Sequence, residues 1–228
     1  MAPLHRHQIL RVSQAGWRRI RDRDWDATSS ACLGHWAARD LPLVVTRQTG
    51  GAGASSSAVA VGLSAPGRWE RRRISLQVLR SEVLGFDEFP VVEAVAPLLP
   101  DAAQDAWSRL CGVLSAACAT ARVYGSYGWQ HLSGLDHVRP GSDVDVWVAV
   151  SSAAQADAVA ATMQATSCPG LRLDGELVFD GGAAVAWREW LTWRAGATKA
   201  LIVKTLFGAS LTDSAEGLCS QVRMEAGS

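Results

Sequence analysis

Residues 143–150 read Asp-Val-Asp-Val-Trp-Val-Ala-Val, and this alternation constrains the fold more than any other stretch of the chain. Side chains two apart on a strand share a face, so Asp143 and Asp145 project together while Val144 and Val146 point into a core. Carboxylates that close raise each other's proton affinity unless a cation lies between them. Oxygen ligands with no His or Cys nearby favour Mg²⁺ over zinc. A further strand is predicted over 171–179, with Leu171, Leu173, Leu177 and Phe179 on one face and Asp174 and Glu176 on the other. If it lies beside 143–150, one of those two acids completes a three-carboxylate metal site. Asp174 is preferred because it follows the apolar strand directly, and spacing leaves Glu176 open.

Upstream, Tyr124-Gly125-Ser126 falls where a strand over 121–124 turns into a helix. Glycine there lets the backbone approach a phosphate, the helix N-terminus offers free N–H groups, and Ser126 adds a hydroxyl. Around these motifs the pattern predicts a helix after Asp101, which can cap it, and a two-turn helix over 129–135. It further predicts a helix over 152–166, a hairpin turn at Asp180-Gly181-Gly182, a strand over 183–190 and a closing helix over 197–207. The order α-β-α-β-α-β-β-α describes a small mixed sheet covered by helices, an α+β architecture.

The N-terminal part is expected to be small and β-rich, with strands over 41–46, 58–63 and 74–79 and turn chemistry at Pro66-Gly67; the charged run 18–26 suits a solvated turn or helix end. Residues 86–100 carry Pro90, Pro97 and Pro100 and read as a connection. The predicted organisation is therefore residues 1–85 as an N-terminal domain, 86–100 as a linker and 101–228 as a catalytic domain. Of 228 residues, 48% are hydrophobic, ample for a core, and 22 basic residues balance 22 acidic ones. A neutral total argues against a nucleic-acid or anionic-membrane binder. No apolar run approaches a membrane span, the N-terminus lacks a signal-peptide core, and the five scattered cysteines read as reduced thiols, so a cytoplasmic protein is expected.

A Gly-Ser at a strand–helix junction, an Asp-x-Asp strand and an acid on a later strand together resemble the polymerase-beta-like nucleotidyltransferase superfamily over 121–207. The longer strings 123–135, 139–145, 172–177 and 186–189, with Arg6-His7, 42–48 and 203–205, are similar to the malonate decarboxylase holo-acyl-carrier-protein synthase family and span nearly the whole chain. Val144 and Val146 stand where leucine is more usual. The resemblance implies transfer of the phosphoribosyl-dephospho-CoA group from its triphosphate precursor to a serine of the apo acyl-carrier subunit of malonate decarboxylase, with release of diphosphate. It implies two Mg²⁺ ions, with Mn²⁺ as an alternative, on Asp143, Asp145 and Asp174. Asp174 or Glu176 would accept the serine proton. Gly125, Ser126, Trp129, Arg139, Arg188 and Lys204 would meet the substrate, and Lys199 is a further phosphate candidate. Two other readings stay open: a nucleotidyltransferase that adenylylates a small molecule or protein, and a non-catalytic module on the same fold. The oligomeric state, a homodimer included, is open as well.

Several conspicuous features carry blander readings. The run 50–57 follows a strand but lacks the closing Gly-Lys-Ser/Thr of a phosphate loop, so a surface loop is expected. His131 and His137 have no second ligand at useful spacing. Most of the ten tryptophans are core material, and Arg71-Arg72-Arg73 is either a solvated edge or an attractor for an acidic carrier.

Overall fold

The computed structural model describes residues 4–49 and 57–219, in two units. The run 50–57 lies almost entirely outside the described residues.

The N-terminal unit takes the chain through Phe89 together with Leu132–His137 and Leu206–Gly208. Its sheet is antiparallel throughout, with strands β1 (Ile9–Val12), β2 (Leu43–Val45), β3 (Ala58–Ser64), β4 (Arg73–Leu79) and β5 (Val83–Asp87) in the order β4-β3-β2-β1-β5. Period-two burial is clear in β4, where Ile74, Leu76 and Val78 face inward. The expected strands are present, but among the described residues the unit also holds the α-helices α1 (Gln14–Arg21) and α2 (Ala27–Ala38). Ser13 caps α1 by accepting from the Gly16 N–H, and Asp26 caps α2 by accepting from Thr28 and Ser29. The charges of 18–26 look outward while Trp17 and Ile20 are buried, so the mixed-sign run is a helix face and a helix junction.

The second unit comprises Pro90–His131, Val138–Thr205 and the chain from Ala209. Residues 86–100, read as a connection, are built into structure. A 3-10 helix over Val92–Leu98 buries Val92 and Val95, and the Pro90 carbonyl accepts from Val123. Helix α3 (Asp101–Ala116) follows with Pro100, not Asp101, at its N-cap; Asp101 sits in the first turn. Then come β6 (Ala121–Tyr124), α4 (Gly125–Ser133), β7 (Val144–Val150), α5 (Ala153–Ala165), β8 (Leu173–Phe179) and β9 (Ala184–Ala186). Ser152 caps α5, whose Ala156, Val159, Ala160 and Met163 are buried at helical spacing. The strand expected over 183–190 stops at Ala186, and α6 (Trp187–Arg194) takes over with Trp187 and Trp190 buried.

The helix expected over 197–207 is a correction of greater consequence. Residues Leu201–Lys204 form strand β10, paired with β11 (Ala209–Thr212), before a short α7 (Glu216–Cys219). Leu201 and Val203 are buried while Ile202 is 43% exposed, which is strand alternation in a segment too short to show it unaided. The sheet runs β11-β10-β9-β8-β7-β6, and only β7–β8 is parallel, joined through α5. The α+β expectation holds. No described helix is long and apolar enough to cross a membrane.

Candidate active site

The parallel pairing of β7 with β8 sets Asp145 opposite Asp174 and Trp147 opposite Glu176. In-register residues of parallel strands point the same way, so Asp145, Asp174 and Glu176 occupy one face of the sheet. Val144, Val146, Val148 and Leu177 fill the core on the other. Asp143 immediately precedes β7. The carboxylates from two strands thus meet on a common surface.

Gly125, first residue of α4, closes this surface from β6, whose Tyr124 pairs with Asp145. Its φ is +61°, and a Cβ there would stand 1.9 Å from Asp145 Oδ2. Only glycine permits both the left-handed turn and the approach of backbone to carboxylate. The helix starts at Gly125 instead of Trp129, so Ser126 lies in its first turn, directly after the glycine that meets Asp145. Gly175 plays a matching part in β8: its φ is +147°, a Cβ would lie 1.7 Å from the Val146 carbonyl oxygen, and its N–H donates to Asp174 Oδ1 at 2.9 Å.

Burial pushes the Asp145 carboxyl up to about 6, and the charges of Asp174, Asp143 and Glu176 push the same way; Arg172 opposes them. The Arg172 guanidinium stands 3.2 Å from Asp174 Oδ2 and 3.4 Å from Asp143 Oδ2. Glu176 is 4% exposed, and its Oε1 accepts from Lys204 Nζ at 2.9 Å. Lys204 in β10 pairs with Ala184, and Glu176 with Ala186, so the ammonium reaches across β9 over two alanines. Among the described residues, no three His, Cys, Asp or Glu side chains gather tightly enough to hold a metal ion as they stand.

The other candidates are placed as follows. Arg188 donates to the Leu173 carbonyl at 2.9 Å and stacks on Trp187, beside the start of β8. Arg139 and Lys199 are exposed, and Arg139 uses its backbone N–H in a turn closed by Ser142. Trp129 is only 4% exposed, a buried residue of α4. His131 is exposed. His137 belongs to the N-terminal unit, where its Nε2 meets Ser133 Oγ at 3.1 Å and burial pushes it down to about 4. Arg6 and His7 touch each other in that unit, beside a hydrogen bond between His5 Nε2 and Glu88 Oε1. Sequence reasoning passed over Arg172 as a site residue, although it stands two positions before Asp174 and hence on the same side of the chain.

Two family models cover the chain. The phosphoribosyl-dephospho-CoA transferase MdcG C-terminal domain matches residues 90–215, and the N-terminal domain of the same transferase matches residues 5–89. A phosphoribosyl-dephospho-CoA transferase from Bradyrhizobium diazoefficiens is 34% identical over 213 residues, covering 92% of this chain and 91% of its own. One from Xanthomonas euvesicatoria pv. vesicatoria is 32% identical over 188 residues, covering 81% and 85%. No solved structure matches.

Proposed function

This chain belongs to the phosphoribosyl-dephospho-CoA transferase family, and from that premise we propose that it acts through a nucleotidyltransferase-type site on the β7–β8 face. It is a transferase. The donor is the triphosphate form of the phosphoribosyl-dephospho-CoA group, and the acceptor is a serine of the acyl-carrier subunit of malonate decarboxylase. The serine oxygen bonds to the α-phosphorus, the bond from that phosphorus to the departing oxygen breaks, and diphosphate leaves. The observation that carries this reading is the register of Asp145 with Asp174, with Asp143 beside them and the Gly125 backbone against Asp145.

The donor chemistry of these residues suits a hard divalent cation, although the described side chains do not stand at ligand spacing. Asp145 feels three carboxylates and one guanidinium, an oxygen donor set already drawing in a positive group. Asp143, Asp145 and Asp174 would hold Mg²⁺ or Mn²⁺, which when bound would polarise the α-phosphate and neutralise the leaving diphosphate. The chain itself does the positioning. Gly125 and the first turn of α4, with the Ser126 hydroxyl, offer donors to the terminal phosphates. Asp174, half-exposed at the start of β8, accepts the serine proton, whereas buried Glu176 holds Lys204 toward the same face. Arg188 steadies the entry to β8 through the Leu173 carbonyl.

The test supplies apo acyl carrier, Mg²⁺ and either the triphosphoribosyl donor or ATP, and reads the carrier by mass spectrometry. A gain equal to the phosphoribosyl-dephospho-CoA group, with the first donor only, is expected. A gain with ATP alone would overturn the assignment in favour of adenylyl transfer.

A further inference from the structure

Arg172 stands among the acids of this face, and nothing above assigns it a task. Its Nη2 stands 3.2 Å from Asp174 and 3.4 Å from Asp143, so it joins an acid of β8 to the acid preceding β7. Those are its side-chain partners among the described residues, and the side chain is 64% exposed. Lys204 makes the contrast: its ammonium lies on a carboxylate only 5% exposed. One cation lies on a buried carboxylate, and the other spans two carboxylates that are themselves about a third exposed.

We propose that Arg172 is an exchangeable counter-cation, which neutralises Asp143 and Asp174 in the free enzyme and transfers to the polyphosphate of the donor when a divalent ion takes those acids. The proposal rests on the metal reading given above and extends it to the order of binding. A guanidinium supplies one charge to two carboxylates, and exposed ion pairs are individually weak, so a divalent ion can displace it. The displaced group does not lose a partner when triphosphate accompanies the metal, because the planar fork of arginine matches phosphate oxygens as well as carboxylate. Metal alone must compete with Arg172, whereas metal with triphosphate recruits it. Binding of the two is then mutually reinforcing, and by linkage the coupling is the same read from either ligand.

Mn²⁺ titration of the full chain, followed by electron paramagnetic resonance or calorimetry, tests this without turnover. Wild type, Arg172→Gln and Arg172→Ala are compared with and without inorganic tripolyphosphate. Both variants are expected to bind Mn²⁺ alone roughly three- to tenfold more tightly than wild type, the scale of one or two exposed ion pairs. Tripolyphosphate should strengthen Mn²⁺ binding markedly in wild type and much less in the variants. Unchanged or weaker Mn²⁺ affinity in folded variants, or equal strengthening by tripolyphosphate, overturns the counter-cation role while leaving the metal site standing. No Mn²⁺ binding by wild type, even with tripolyphosphate, overturns both, and Asp145→Asn tells whether the binding seen belongs to these acids.

Discussion

Asp145 carries a heavy electrostatic load. An aspartate in the unfolded chain releases its proton near 3.8, and this one in the folded chain near 6, pushed there by burial and then by Asp174, Asp143 and Glu176. Between those values the folded state holds more protons than the unfolded state, so stability falls as pH rises through that window and stays lower above it. Asp145→Asn therefore raises stability at pH 7.5, by up to about 3 kcal/mol if the whole shift is recovered, and changes it little near pH 3.5. On the proposed metal-binding role of Asp145, turnover should fall on the order of a thousandfold, the scale of several kcal/mol of transition-state stabilisation. Urea unfolding at the two pH values checks the first part. An equal gain at both would remove the ionised-carboxylate explanation. At this scale the Asp-x-Asp pair and the third acid were legible in sequence because period-two alternation is a local signal. The pairing of Glu176 with Lys204 was not, because it depends on β10 lying two strands away across β9.

Elements explain where the site leaves no room for a side chain. Gly125 and Gly175 have positive φ and hold backbone or carboxylate where a Cβ would be. Gly125→Ala would force Asp145 to move and strain the turn into α4, so activity should fall with a loss of about 1–3 kcal/mol in stability. Gly175→Ala meets the Val146 backbone of the partner strand, which cannot swing aside. It should cost about 3 kcal/mol or more and loosen the β7–β8 ladder, visible as faster amide exchange in both strands. Normal exchange with normal activity in Gly175→Ala would refute the close approach. The Lys204–Glu176 pair can be tested the same way: Lys204→Ala leaves a buried carboxylate short of its cation, at a cost of about 1–3 kcal/mol. The double variant with Glu176→Gln should recover part of that loss, and strictly additive effects in a double-mutant cycle would mean the two side chains are uncoupled. Strands β7 and β8 and helix α5 were readable because their apolar period is sustained for seven residues or more. The β10–β11 hairpin was not, since four-residue strands with Ile202 and Leu211 exposed carry no period distinct from a helix end.

At the scale of the whole chain, neutrality conceals a division. The first 89 residues hold 13 basic and 8 acidic side chains, a surplus of +5, while the remaining 139 hold 9 and 14, a surplus of −5. The acidic surplus falls in the segment that carries the carboxylate face, where a polyanionic donor is repelled unless cations screen it. A second feature escaped any linear reading. The N-terminal unit is not closed at Phe89, because it also contains Leu132–His137 and Leu206–Gly208. Within it, the His137 ring lies 6.5 Å from the ring of Trp36, which in turn meets Trp69 at 5.8 Å, and the Leu206 carbonyl accepts from Gln48 N–H at 2.9 Å. Local pattern marks where a helix or strand begins, but it holds no information on which distant loop completes a core. A fragment of residues 1–89 would lack the His137 ring beside Trp36 and the Leu206 acceptor for Gln48 N–H, so apolar surface and a backbone donor are left to water. It should melt at lower temperature and less cooperatively than the same unit in the intact chain. Supplying Leu132–His137 through a short Gly/Ser linker should restore part of the loss, and the same addition with His137→Ala should restore less. A fragment of residues 1–89 as stable and cooperative as the intact unit would show that the inserted segments add nothing to its core.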